Sequence, residues 1–167
     1  MILEYEMRPG AKAPTRANPS DAGLDVYHHP RDPNVSVVKI KPGGNAMLAT
    51  GLIFGIPHGY MLQVCNRSSM GAKKSLIVGA HIIDSGYDGE VFIDLHNIGD
   101  EEQFICTGDK IAQLVLVPVV HFRARRSSHG VYREPITISD RGNNSLGSTD
   151  LNPSSPGSLN GMPVGGF

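Results

Sequence analysis

Cysteine is scarce: Cys65 and Cys106 are the only two in 167 residues. Two are too few for a disulfide-rich framework. With no charged-then-apolar leader, they point to a reducing, cytosolic setting in which both are buried free thiols. Net charge is equally slight. Fifteen Lys and Arg oppose sixteen Asp and Glu for a formal −1, so no overall field recruits nucleic acid or an anionic membrane. An anionic ligand has to be held by a few local cations and backbone N–H groups. The longest apolar stretches, such as 111–120 with Gln113 inside it, fall far short of a membrane span. The seven His show no HxxxH or Cys–His spacing, which argues against zinc. No Gly-x-Ser-x-Gly elbow is present to suggest a covalent Ser mechanism, and no internal repeat divides the chain.

What the chain has in quantity is punctuation. Its 20 Gly and 12 Pro are spread along it rather than confined to one linker. Between them lie short β-rich runs at 35–40, 47–56, 60–64, 76–83, 90–95, 104–106 and 111–120. Turn signals separate them at Pro42-Gly43-Gly44, Pro57-His58-Gly59, Asp88-Gly89 and Gly108-Asp109. Many short strands with regular turns predict an all-β sandwich or barrel, and the length suits one domain with a sizeable core. One short helix is expected at 69–74, capped by Ser68 or Ser69. From Arg141 to Phe167, 18 of 27 residues are Gly, Ser, Asn or Pro, so burial cannot order the segment and a disordered tail is expected. Inside it, Arg141-Gly142-Asn143-Asn144-Ser145-Leu146-Gly147-Ser148-Thr149 gathers a cation, glycines and hydroxyls. Those are the groups a phosphate-wrapping loop needs, so an arm that orders on a ligand is the alternative.

Four further segments join that one: Ala22-Gly23-Leu24-Asp25-Val26, Arg67-Ser68-Ser69-Met70-Gly71-Ala72-Lys73, Ile82-Ile83-Asp84-Ser85-Gly86-Tyr87-Asp88-Gly89-Glu90, and Gly108-Asp109-Lys110-Ile111-Ala112-Gln113-Leu114. In this order and with these separations, the five resemble the sequence motifs of the trimeric dUTP diphosphatases (dUTPases). Ala13-Pro14-Thr15-Arg16 is similar to the family's opening, and the likeness runs from Ala13 to Asp150. The resemblance implies a jelly-roll-like β-barrel assembled as a homotrimer, each site built from more than one subunit. It implies a barrel domain over 1–139, a flexible glycine-rich arm over 140–150 and a disordered extension over 151–167. The segment 121–139 is long enough to carry the arm to a neighbouring subunit. The implied activity is Mg²⁺-assisted hydrolysis of dUTP to dUMP and pyrophosphate, which keeps uracil out of DNA and supplies dUMP for thymidylate synthesis. The implied location is the cytoplasm (the host's, for a viral protein), with no membrane or nucleic-acid partner.

Phosphoanhydride cleavage needs an activated water at phosphorus and stabilised charge on the leaving pyrophosphate. By the resemblance, Asp84 is the water-activating carboxylate; from its residue type alone it reads as a turn-starting Asp. The resemblance implies each further role as well: Tyr87 lies under the deoxyribose and leaves no room for a 2′-hydroxyl. Backbone groups around Val78, Gly79 and Ile83 read the uracil edge. Arg67, Ser68 and Ser69 hold phosphates at the start of a short helix, where N–H donors and a guanidinium converge. Gln113 contacts phosphate; without the resemblance it is a polar residue on a strand's solvent face. Asp25 orders waters around a Mg²⁺ held mainly by the triphosphate, so no dense carboxylate cage is expected. Arg141 reaches the γ-phosphate, Gly147, Ser148 and Thr149 add contacts, and Leu146 covers the base as the arm closes and excludes water.

The chain departs from the family pattern at several points. Leu146 replaces a stacking aromatic, a loss of roughly 1 kcal/mol or less beyond area effects. Asp150 stands for a Gly, Asn66 for a Pro, and Asp88 for a basic or polar residue. Two other readings compete. A dCTP deaminase of the same fold is favoured by Arg67-Ser68-Ser69, by Ala80-His81-Ile82-Ile83-Asp84, and by Asp94, near the place where deaminases keep a general-base Glu. A nucleotide-controlled binding protein is favoured by Leu146 and the C-terminal extension.

Overall fold

Apolar residues at every second position turn one face of most strands inward, and that alternation organises the molecule. The computed structural model describes residues 1–128. In order along them come β1 (Tyr5–Met7), β2 (Leu24–Tyr27), β3 (Val37–Ile40), β4 (Asn45–Ala49), β5 (Leu52–Phe54), β6 (Tyr60–Cys65), α1 (Ser68–Lys74), β7 (Leu76–Val78), β8 (Ile82–Asp84), β9 (Phe92–Asn97), β10 (Gln103–Cys106) and β11 (Lys110–Pro118). This is the expected all-β chain with a single short helix. Among the described residues the strands form four antiparallel sheets, β1-β5, β3-β10, β2-β11-β6-β8 and β4-β9-β7, with no closed hydrogen-bonded barrel.

Strand β9 shows the alternation most plainly. Ile93, Leu95 and Asn97 are buried while Phe92, Asp94 and His96 look outward. The inward residues join Val26, Ile40, Leu48, Leu52, Leu62, Leu76, Ile105, Ile111 and Leu114 in one core. Each of these aliphatic side chains stabilises the fold by about 1.5–3 kcal/mol on burial. Asn97 is the polar member, and its amide is satisfied. Nδ2 donates to the Ile40 and Glu101 carbonyls, and Oδ1 accepts from the Gly99 N–H.

Two runs that read as single strands are each broken. The run 47–56 divides at Gly51, which takes φ +71° in the left-handed region. The run 76–83 divides at Gly79, where a Cβ would collide with His96 and Asp94. Strands β1 and β2 were absent from the sequence expectation; both are short and owe their place to pairing with β5 and β11. The helix begins at Ser68 with Arg67 as its N-cap, in extended conformation and without a side-chain cap, rather than with Ser68 or Ser69 capping. It ends at Ser75 in the left-handed conformation, with Lys73 and Lys74 in the last turn, where the helix dipole favours cations. The thiols are free as expected, but neither is buried: Cys65 is half-buried and Cys106 exposed. No helix among the described residues is long and apolar enough to cross a membrane. Residues Met1–Phe122 make up one compact unit and Arg123 begins a second, of which only the first few residues are described.

Candidate active site

Strand β11 lies between β2 and β6, and its register places Gln113 opposite both Asp25 and Cys65. Three distant segments of sequence therefore meet on one strip of sheet, beside the start of α1. Asp25 is at its centre. Its Oδ1 accepts from Arg67 Nε at 2.8 Å and its Oδ2 from Lys110 Nζ at 2.7 Å. The hydrogen bond to Asp25 pulls the Lys110 ammonium above its usual range, so Lys110 is a persistent cation. The Arg67 guanidinium also reaches the Ser69 hydroxyl at 3.4 Å. An irregularity in β11 between Lys110 and Ala112 lets the two residues address this cluster and the core respectively.

An open cleft of about 320 Å³ adjoins the cluster, lined by Arg67, Ser69, Met70, Lys73, Lys74, Asp109 and Lys110. Four cations against one carboxylate suit it to a polyanion. Ser68 stands exposed at the first helical position. Gln113 lies against Gly23, where a Cβ would collide with it, and donates from Nε2 to the Asn66 carbonyl at 2.9 Å. The same Asn66 accepts from the Val78 N–H through its side-chain oxygen at 2.7 Å, tying the cation cluster to β7. The Val78 N–H is thereby occupied, and the Gly79 N–H donates to the Asp94 carbonyl at 2.9 Å. Beneath Gly79, Asn45 and His96 donate to the Asp94 carboxylate at 2.9 and 2.8 Å. Burial pushes the Asp94 carboxyl up, but those two hydrogen bonds prevail and hold it below the usual carboxylate range.

Asp84 and Tyr87 sit elsewhere. Asp84 ends β8, the edge strand of the four-stranded sheet, so alternate backbone groups of Ile82, Ile83 and Asp84 face away from β6. The Asp84 side chain is exposed and makes no hydrogen bond or ion pair among the described residues. Tyr87 lies across the following turn, its N–H donating to the Asp84 carbonyl at 3.1 Å. Asp84 pairs with Met61 of β6, whereas Gln113 pairs with Cys65. Those four steps along the strand amount to about 13 Å, so within one chain the exposed carboxylate and the cation cluster occupy opposite ends of β6.

The expected residues thus fall into two groups. Asp25, Arg67, Ser69 and Gln113 are brought together, with Val78 linked to them through Asn66 and Gly79 next to it; Asp84, Ile83 and Tyr87 form a separate edge. Arg141, Leu146, Gly147, Ser148 and Thr149 lie outside the described residues, as do the arm at 140–150 and the extension at 151–167. Sequence reasoning passed over Lys110, Lys73 and Lys74 as site residues and treated Asn66 only as a departure. A polar residue between a strand end and an arginine was the available signal for Asn66. Lys110 stands inside the fourth motif segment, but its pairing with Asp25 was hidden because it spans 85 residues.

Comparison with known proteins agrees with the motif order. Residues 10–150 match the dUTPase family model. A deoxyuridine 5′-triphosphate nucleotidohydrolase of Fowlpox virus (strain NVSL) is 32% identical over 150 residues, covering 90% of this chain and 97% of its own. Its counterpart from Aquifex aeolicus (strain VF5) is 41% identical over 124 residues, covering 71% and 80%. The fold is shared with a Staphylococcus bacteriophage 80alpha dUTPase solved with dUPNHPP, at a TM-score of 0.75, 24% identity, and coverage of 90% and 99%. With the family match spanning most of its length and full-length relatives above 30% identity, the chain belongs to the dUTPase family.

Proposed function

We propose that this protein hydrolyses dUTP to dUMP and pyrophosphate, using the Asp84 carboxylate to activate the attacking water. The observation that carries the reading is the pairing of an unencumbered, exposed carboxylate on a sheet edge with a separate cleft of four cations. One water is consumed: its oxygen bonds to phosphorus, its proton passes to Asp84, and the bridging oxygen departs with pyrophosphate. Arg67, Ser68, Ser69 and Gln113 take the phosphates, with Asp25 keeping the guanidinium in place. Backbone groups of Val78, Gly79 and Ile83 meet the base, carbonyls at Val78 and Gly79 because both N–H groups are already donating. Tyr87 lies under the sugar, and Arg141, Leu146, Gly147, Ser148 and Thr149 close over the nucleotide.

Mg²⁺ fits this donor set when the triphosphate supplies most of its oxygens. Asp25 has lone pairs left for metal-bound waters, and no group of three or more His, Cys, Asp or Glu among the described residues could hold a metal ion by itself. When bound, the ion neutralises charge on the triphosphate. The separation of Asp84 from the cation cluster along β6 supports a jelly-roll homotrimer whose sites draw on more than one subunit. Cytoplasmic residence is part of the same reading.

Deamination of dCTP is the competing chemistry, and the surroundings of Asp94 speak against it. A carboxylate already accepting from Asn45 and His96, and held below its usual range, is a weak base. The test is to incubate purified protein and Mg²⁺ with dUTP and with dCTP, following pyrophosphate and ammonia separately. Pyrophosphate from dUTP is the expected result. Ammonia from dCTP, or no pyrophosphate from dUTP, overturns the proposal.

A further inference from the structure

The reversal between Asp84 and Glu90 leaves Tyr87 exposed yet fixed. Besides the N–H bond to Asp84, the Tyr87 hydroxyl donates to the Glu90 carbonyl at 2.8 Å. Gly89 makes that posture possible: a Cβ there would lie 2.6 Å from the Tyr87 hydroxyl oxygen and 2.7 Å from Cζ. The ring therefore rests on bare backbone, and its position depends on where the Glu90 carbonyl is held.

Glu90 is held from three directions. Its side chain is 1% exposed, and a carboxylate so buried is tolerated only when paired and hydrogen-bonded. Oε1 accepts from the Gly51 N–H at 2.9 Å. Oε2 takes Arg8 Nε at 2.9 Å, Arg31 Nε at 3.0 Å and Arg31 Nη2 at 2.9 Å. Arg31 is steadied in turn by Phe92, whose ring centre is 4.7 Å from its guanidinium carbon. The clamp thus fastens the residue after β1, the loop after β2 and the β4–β5 turn to the one residue whose carbonyl holds Tyr87. None of its charged groups belongs to the phosphate cleft.

We propose that Glu90 is a positioning residue for sugar discrimination: its ion-paired carboxylate fixes the backbone carbonyl that anchors Tyr87, and so sets how closely the tyrosine ring crowds the 2′ position. The proposal rests on the reading of Tyr87 as the residue under the deoxyribose. Steric exclusion of one hydroxyl is sensitive to small displacements, since misplacement by about 1 Å can alter a rate by about a hundredfold. A loosened Glu90 should admit ribonucleotide while leaving the water-activating group where it is.

The test compares dUTP with UTP as substrates of the whole protein in Mg²⁺, reading kcat and KM separately. In Glu90→Gln the ratio of kcat/KM for dUTP to that for UTP should fall about tenfold, mainly through a lower KM for UTP. Arg31→Gln, a change at a half-exposed residue that leaves Glu90 in place, should move the ratio the same way by a smaller factor, and it decides the matter if Glu90→Gln fails to fold. In a Tyr87→Phe background, which lacks the hydroxyl link, Glu90→Gln should cause little further change. A ratio unmoved by Glu90→Gln or Arg31→Gln, or an effect fully additive with Tyr87→Phe, overturns the proposal. Wild-type protein that cleaves dUTP and UTP equally well would instead overturn the role of Tyr87 beneath it, and protein inert toward dUTP would overturn the proposed function itself.

Discussion

Two ionisable side chains illustrate how differently burial acts on single residues. Asp84 is exposed and unpaired among the described residues, so its carboxylate is free to take a proton from water. Asp84→Asn keeps the shape and removes the proposed base. Turnover of dUTP should fall by about 10²–10⁴-fold while the affinity for a non-hydrolysable analogue changes less than about threefold, measurable by calorimetry beside a rate assay. Survival of turnover would show that another group activates the water. His28 is the opposite case, 3% exposed, with Nδ1 donating to the Ala49 carbonyl and Nε2 without a hydrogen-bond partner among the described residues. Burial lowers its affinity for a proton, helped by neighbouring His29, against opposing contributions from Ala49 and Asp109. The unfolded chain therefore binds a proton that the folded chain refuses, in the window between the lowered value and the ordinary one near 6.5. The stability that His28 contributes is complete above that window and is lost as pH falls through it. Urea midpoints should drop from pH 7.5 toward pH 5, and His28→Gln should flatten the drop; equal slopes in the two proteins would refute a neutral buried His28.

At the scale of elements, the turn between β4 and β5 is where backbone geometry matters most. Gly51 has φ +71°, and a Cβ there would lie 2.6 Å from Ala11 Cβ and 2.9 Å from the His29 ring. Gly51→Ala should destabilise the protein by about 2–3 kcal/mol in denaturant titration, combining left-handed strain with overpacking; a loss below about 0.5 kcal/mol would mean that the turn can relax. The same turn explains what was legible in the sequence. The runs containing β6, β9 and β11 stood out because their alternation is local, and the motif order located Asp25, Arg67, Asp84 and Gln113 along the chain. The breaks at Gly51 and Gly79 did not stand out, because each depends on atoms that only the folded chain brings near. Strands β1 and β2 were missed since three or four residues carry too little periodicity to register. The grip of Arg67 and Lys110 on Asp25 was also hidden, being a product of strand register across β2, β11 and β6.

For the whole molecule the decisive fact is the distance between the two halves of the candidate site. Asp84 lies opposite Met61 and Gln113 opposite Cys65, so about 13 Å of β6 separates the proposed base from the cation cluster in one chain. In the proposed shared site, a neighbour's edge brings its Asp84 to this chain's cations. This makes a sharp prediction for mixed oligomers. Asp84→Asn removes the proposed base and Arg67→Ala the proposed phosphate grip, and each homo-oligomer should be close to inactive. If sites are shared, unfolding the two variants together and refolding them at equal concentration should create some sites whose Asp84 and Arg67 are both intact, because they come from different chains. Random assembly makes this about one site in four, so roughly a quarter of wild-type activity should return. If each site is built within one chain, every site carries one lesion and mixing restores nothing. Sedimentation of the same samples should show a species of three times the chain mass. Recovered activity in a sample that sediments as a monomer would contradict subunit sharing outright.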